Sequence, residues 1–180
     1  MQTTKEKLIA ATQTLIQEKN STDVRLTEVA DRIGITHGAI YKHFKNKEAL
    51  LTAVALDWFN TTIIQNIHLS DDPQPPKSLL HEWLWQFVNA KKQAYQDTPG
   101  MFALNATYVE ADPHILKLVL LDSMKFIDQL MQFNDPKLRK SEAILASFSV
   151  FTLPSFKSTW TSLDYQERFE VQWQLIEAGL

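Results

Sequence analysis

The chain has 180 residues, 44% hydrophobic and 22% charged, with a formal net charge of -3 and only 4 Gly, which suits one helical body or a small domain joined to a medium one. It has no cysteine, which excludes disulfides, thiolate metal sites and a thiol nucleophile and fits a reducing compartment. No stretch approaches the roughly 18 to 20 apolar residues of a membrane span, and the opening MQTTKEKLIAATQTLIQEK lacks a signal-type apolar core, so a soluble, cytoplasmic protein with no membrane partner is expected.

The first helix is expected to open at Thr3, because Thr3 and Glu6 have the S/T-x-x-E spacing of a capping box. Leu8, Ala11, Thr12, Leu15 and Ile16 form its apolar face to about Lys19, and the polar run Asn20 to Asp23 ends it. Thr27 then reads as the N-cap of a second helix whose stripe is Leu26, Val29, Ala30 and Ile33. Gly34 follows, at a helix end that favours positive φ. Thr36 reads as the cap of a third helix running to about Phe44, with Ile40 and Phe44 pointing inward. Asn46 caps a fourth, which continues to about Ile67 and carries Leu50, Val54 and Trp58 at helical intervals.

The prolines of SDDPQPPKS, residues 70–78, break the pattern as an interhelix loop. A helix from Ser78 to about Gln96 follows, then a short one over residues 101–111 and another from Asp112-Pro113 to about Phe133. The remaining helices are expected from Pro136 to Leu153, where Pro154 stops the chain, and from Leu163 to Ala178. Strand alternation and internal repeats are absent from the sequence, so the expected class is all-α with about nine helices.

Chemistry gathers in residues 24–51. Two helices around a glycine turn form a helix-turn-helix pattern, and its outer face offers His37, Tyr41, Lys42, His43, Lys45 and Lys47. Those are donors and cations suited to phosphates and base edges. A purely structural hairpin also produces caps, a glycine and an apolar stripe, but does not call for that outer face. Charge agrees: residues 1–50 hold eight Lys and Arg against six Asp and Glu, whereas residues 51–180 hold ten against fifteen. Cations thus collect around the candidate reader. Catalytic signatures are missing; Glu110, Asp112 and His114, and likewise His68, Asp71 and Asp72, fall at spacings that one helix face does not bring together. The sequence assigns no catalytic residue, no metal ligand and no cofactor.

The segment LTEVADRIGITHGAIYKHFKNKEALLTAV resembles the DNA-binding region of TetR-family transcriptional regulators, through Thr27, Ala30, Gly34, the Tyr41–Phe44 pair, Lys47, Glu48 and Leu50–Leu51. The resemblance covers about a quarter of the chain closely. It implies an N-terminal three-helix bundle with the helix-turn-helix in residues 1–46 and a C-terminal helical ligand-binding and dimerisation bundle in residues 47–180. It also implies a double-stranded DNA operator contacted by Thr27, Thr36, His37, Gly38, Tyr41, Lys42, His43 and Lys47. His37 and Lys42 are the expected base readers, while Ala39 departs from the family's frequent Thr or Ser and lacks one hydroxyl contact. A small hydrophobic or amphipathic effector would sit among Trp58, Thr62, Trp83, Phe87, Phe102, Asn105, Tyr108 and Phe126. Self-association as a homodimer would use Ile144, Phe148, Phe151, Phe169, Trp173 and Ile176. The expected function is a repressor released from its operator by that effector; the alternative is an architectural DNA-binding protein of the same fold with no ligand. An all-α interaction module or enzyme is the reading from a different class.

Overall fold

The computed structural model describes residues 2–180, and its regular structure among them is entirely helical. Thr3 opens the first helix, α1 (Thr4–Lys19), by the expected reciprocal bonds: its backbone N–H donates to Glu6 Oε2 at 2.8 Å and its Oγ1 accepts from the Glu6 N–H at 3.3 Å. Then come α2 (Leu26–Ile33), α3 (His37–Ile40) and α4 (Lys47–Trp58). The expected long fourth helix does not stay α: after Trp58 its bonding widens to a π segment, Phe59–Ile64. Next are α5 (Pro76–Asp97) and α6 (Pro99–Asn105), and α6 makes the same change into a second π segment, Ala106–Glu110. Proline is tolerated at the first position of α5 and α6 because the missing N–H has no intrahelical partner there.

The two helices expected over residues 112–133 and 136–153 are each divided. The first becomes α7 (Pro113–Val119) and α8 (Leu121–Met131), and the second becomes α9 (Arg139–Ser147) and α10 (Ser149–Thr152). Asp135 sets where α9 starts, since its carboxylate accepts from the N–H groups of Lys137 at 3.1 Å and Arg139 at 2.9 Å. A 3-10 segment, Pro154–Thr159, precedes the last helix, α11 (Tyr165–Glu177). Periodicity located the apolar stretches but not these breaks.

The chain divides into two compact units, neither bounded at residue 46: the first comprises residues through Thr62 with Ala94–Leu116, the second Ile63–Gln93 with Lys117–Leu180. In the first, α1 packs on α2, α4 and α6, and α4 packs on α6 and the π segment after it. Leu8, Ile16, Val29, Ile40, Leu50, Val54, Trp58, Met101 and Leu104 are buried there. Each such large side chain contributes roughly 1.5–3 kcal/mol, so this interior outweighs any surface ion pair. Gly100, at the start of α6, lies close against the end of α1: a Cβ there would stand 3.2 Å from the Asn20 carbonyl carbon and 3.3 Å from the Ile16 oxygen.

The second unit is built on aromatic rings. Phe169 of α11 lies 4.8 Å from Trp85, 5.1 Å from Phe148 and 5.9 Å from Phe151, centre to centre. His81 of α5 is hydrogen-bonded through Nε2 to Glu170 Oε2 at 3.0 Å and sits edge-on to Phe169 and Trp173. Trp83 stacks on Phe87 at 5.1 Å. The loop before α5 is tied down by Gln86, whose amide donates to the His68 oxygen and accepts from the His68 N–H. No described helix is long and apolar enough to cross a membrane.

Candidate DNA-binding site

The reader is assembled from the turn outward. Gly34 ends α2 at φ 72°, ψ 35°, with its N–H donating to Asp31 O at 3.2 Å while the Ile35 N–H donates to Ala30 O at 3.0 Å. That bond pair is a Schellman motif, which needs a left-handed residue at this position. The turn then delivers Thr36 in extended geometry as the N-cap residue of α3. Its hydroxyl makes no capping bond; the first turn closes instead through the Ala39 N–H to Thr36 O bond of 2.9 Å. The Thr36 side chain therefore stays exposed on the outer face.

The α-helical part of the third helix ends at Ile40, four residues short of the expected Phe44. Beyond it the His43 N–H donates to Ile40 O at 2.9 Å and the Phe44 N–H to the same oxygen at 3.0 Å, so the chain stays coiled to Phe44. Ile40 and Phe44 are buried and anchor this segment, as their four-residue spacing predicts. His37, Gly38, Tyr41, Lys42, His43 and Lys45 are exposed together, and Lys47 is half-buried. Tyr41 keeps 50% of its surface open, unusual for a ring with an interior beside it. It meets His37 edge-on at 5.4 Å, one turn away. Asn46 caps α4 as expected, its Oδ1 accepting from the Ala49 N–H at 2.8 Å, which sets Lys47 at the first helical position.

Thr27 is not the N-cap of α2. The helix starts at Leu26 with Arg25 as the cap residue, and Glu28 reaches back to accept from the Arg25 N–H at 3.0 Å. The cause lies in α1: Lys19 holds the Glu28 carboxylate with two 2.7 Å bonds, fixing it over the start of α2. Thr27 is exposed within the first turn, so its hydroxyl is turned to solvent without a capping task. A second strut joins Arg32 to Glu18 at 2.8 Å. Hydrogen bonds from Lys19 and Arg32 hold the Glu28 and Glu18 carboxyls below the usual glutamate range, and Glu18 raises Arg32 in turn. Surface pairs of this kind contribute little stability; what they fix is the angle of α2 on α1. Sequence reading missed these four residues and also Arg25, an exposed cation beside Thr27 whose only signal was its place before the apolar stripe.

The expected effector residues fall in both units. Trp58, Phe102 and Asn105 are buried in the first, where Thr62 and Tyr108 are half-buried; Trp83 and Phe87 are buried in the second, where Phe126 is half-buried. Among the expected dimer residues, Ile144, Phe148, Phe151, Phe169 and Trp173 are buried within the second unit of the single chain, and Ile176 is half-buried. The open apolar side chains on α11 are Val171 and Leu175, four residues apart, 51% and 71% exposed. Asp112, considered earlier with Glu110 and His114, instead caps α7 by accepting from the His114 N–H at 2.9 Å.

A glycine-turned pair of short helices with an exposed basic and aromatic face, braced by a third helix, is a helix-turn-helix arrangement. Residues 8–54 match the family model of the bacterial regulatory proteins of the tetR family. It is 32% identical over 105 residues to an uncharacterized HTH-type transcriptional regulator, YerO, from Bacillus subtilis (strain 168); the match takes in 57% of this chain and 35% of YerO. The chain thus matches about a third of the length of that relative. Its fold is similar to that of BioQ, solved with its natural double-stranded DNA operator (TM-score 0.66, 16% identity, 98% of this chain and 99% of BioQ). It is also similar to RolR, solved in complex with resorcinol (TM-score 0.65, 17% identity, 95% of this chain and 86% of RolR).

Proposed function

We propose that this protein is a sequence-specific DNA-binding transcriptional regulator, a repressor that works as a homodimer and leaves its operator when a small hydrophobic or amphipathic molecule binds. The observation that carries the reading is the joint exposure of Thr36, His37, Tyr41, Lys42 and His43 on a segment whose inner side is pinned by Ile40 and Phe44. In this reading α3 and the coil after it enter the major groove, with His37 and Lys42 at base edges. Gly38 brings backbone close to the DNA. Tyr41, His43 and Lys47 hold phosphates, joined by Thr27, Thr36 and Arg25, which need no other partner to keep their side chains pointed outward.

A single reader carries few cations, and two copies double the phosphate contacts. Val171 and Leu175 on α11 are the apolar positions open to a second chain, and in a two-fold dimer the same patch serves both partners. The effector acts only if it binds the released conformer more tightly than the DNA-bound one. Structures of BioQ with its operator and RolR with resorcinol show that this fold accommodates both kinds of partner in those proteins.

Footprinting on the DNA upstream of the protein's own gene tests the reading. Two protected half-sites about 34–36 Å apart, one helical turn, or a multiple of it, are expected from a two-fold dimer. Uniform protection with no register would reduce the helix-turn-helix to a generic basic surface.

A further inference from the structure

Within the first unit, a cleft of about 250 Å³ opens where the end of α1 meets the start of α6. Gln17, Asn20, Asp97, Thr98, Pro99, Gly100 and Met101 line it. Gly100 is what lets the two segments approach: a Cβ there would stand 3.2 Å from Asn20 Oδ1, so the Asn20 amide oxygen lies over the glycine. Met101 is wholly buried and gives the cleft an apolar floor. The polar lining is made of acceptors. Asp97 brings a carboxylate, Asn20 and Gln17 bring amide oxygens, and the Thr98 hydroxyl donates to Ala94 O at 3.1 Å, which leaves its lone pairs to serve a ligand. Among the described residues that line the cleft there is no lysine, arginine or histidine. Lys19, the nearest cation along α1, is turned to Glu28 by two 2.7 Å bonds.

We propose that this cleft between α1 and α6 binds a small primary ammonium on a short apolar body. Electrostatics favour the cation twice over. Asp97 carries the one formal charge in the lining, and two helices end there: α1 at Lys19, with Asn20 as its left-handed cap, and α5 at Asp97 itself. Each helix C-terminus carries about half a negative charge on its last carbonyls. α6 starts at the same place, but it has seven residues and opens on Pro99, which has no N–H to present, so its opposing charge is small. Hydrogen bonding selects the kind of cation. An ammonium offers three donors and no acceptor, which matches a lining whose side-chain oxygens accept, whereas a carboxylate or phosphate would meet Asp97 with nothing to compensate it. Met101 and Pro99 suit a short alkyl tail.

The test uses the full chain without DNA and four probes at pH 7: butylammonium, butanol as its neutral counterpart, butyrate as the anion, and tetramethylammonium as a cation with no N–H. Amide shifts of Asn20, Gly100 and Met101 are followed in nitrogen-15 NMR titrations; with only 4 glycines in the chain, the Gly100 signal is readily assigned. Butylammonium should shift all three amides to saturation, tetramethylammonium should bind more weakly, and butanol and butyrate should move none of them. Asp97 is exposed, so Asp97→Asn removes the charge without opening the interior; it should weaken butylammonium by about tenfold, the low end for a hydrogen bond to a charged group. Asn20→Gly is the second variant, because glycine keeps the left-handed cap at φ 47° while removing the amide oxygen. It should weaken the same probe by about threefold. The assignment is overturned if butylammonium gives no saturable shift at these amides, or binds Asp97→Asn as tightly as the natural chain. It is equally overturned if butanol or butyrate binds as well as butylammonium, which would deny the cleft its charge preference, or if tetramethylammonium does, which would deny the hydrogen bonds.

Discussion

Both units of this protein are held by buried apolar side chains, but their outlines are set by different means. The second is held by interlocked rings, with Phe169 touching Trp85, Phe148, Phe151 and His81 at once. The reader in the first has a smaller interior, and its outline is set by backbone devices: a capping box at Thr3, a left-handed turn at Gly34, a cap at Asn46 and two ion-pair struts between α1 and α2. Rings supply stability wherever they are packed. Caps and struts supply little energy and a great deal of orientation, which is what a surface that must match a groove requires.

Substitutions sharpen that contrast. Phe169→Ala removes the ring at the centre of the second unit and should cost about 3–5 kcal/mol, read as a large fall in the urea midpoint; a loss under 1 kcal/mol would break the claim that this ring organises the unit. Gly100→Ala comes next, because its Cβ must push aside the Asn20 backbone and the Ile16 oxygen. Overpacking of this kind costs about 1–3 kcal/mol, and in denaturant titrations it should destabilise the unit that carries the reader. Gly34→Ala meets no atom within 4 Å but must hold φ 72°, so its cost is backbone strain alone, about 1–2 kcal/mol. That variant should lose DNA affinity beyond its loss of stability, since the turn aims α3.

The smallest effect is the most diagnostic. Glu18 and Glu28 are held below the ordinary glutamate range by their bonds to Arg32 and Lys19. Their contribution is therefore present at neutral pH and disappears as the pH falls through those lowered values. Glu28→Gln should be less stable than the natural chain at pH 7 and equal to it once acid has protonated both carboxyls. An undiminished difference at low pH would mean that Glu28 acts through shape and not charge.

Local signals were legible and tertiary ones were not. The capping box at Thr3, the glycine turn and the Asn46 cap follow from short-range chemistry, and the structure carries all three. Thr27 misled because the choice of cap was made eight residues upstream of it, by Lys19 holding Glu28. The stripes of α9 and α11 could not say whether they faced their own interior or a second chain, since both environments select the same rings at the same spacing. In the single chain Phe148, Phe151 and Phe169 are buried, and Val171 and Leu175 are exposed. The π segments after Trp58 and Asn105 have no sequence period to announce them.

The central claim is that the segment from Thr36 to Lys47 reads DNA, and fluorescence anisotropy tests it most directly. The duplex upstream of the protein's own gene and a scrambled duplex are titrated at two salt concentrations, with the natural chain, Tyr41→Ala and Lys47→Ala. The account predicts selective binding that weakens with salt; Lys47→Ala should lower affinity on both duplexes and reduce the salt slope by about one, with Tyr41→Ala also losing the tight complex. Equal weak binding to both duplexes, unchanged in both variants, would contradict it and leave residues 24–51 as packing.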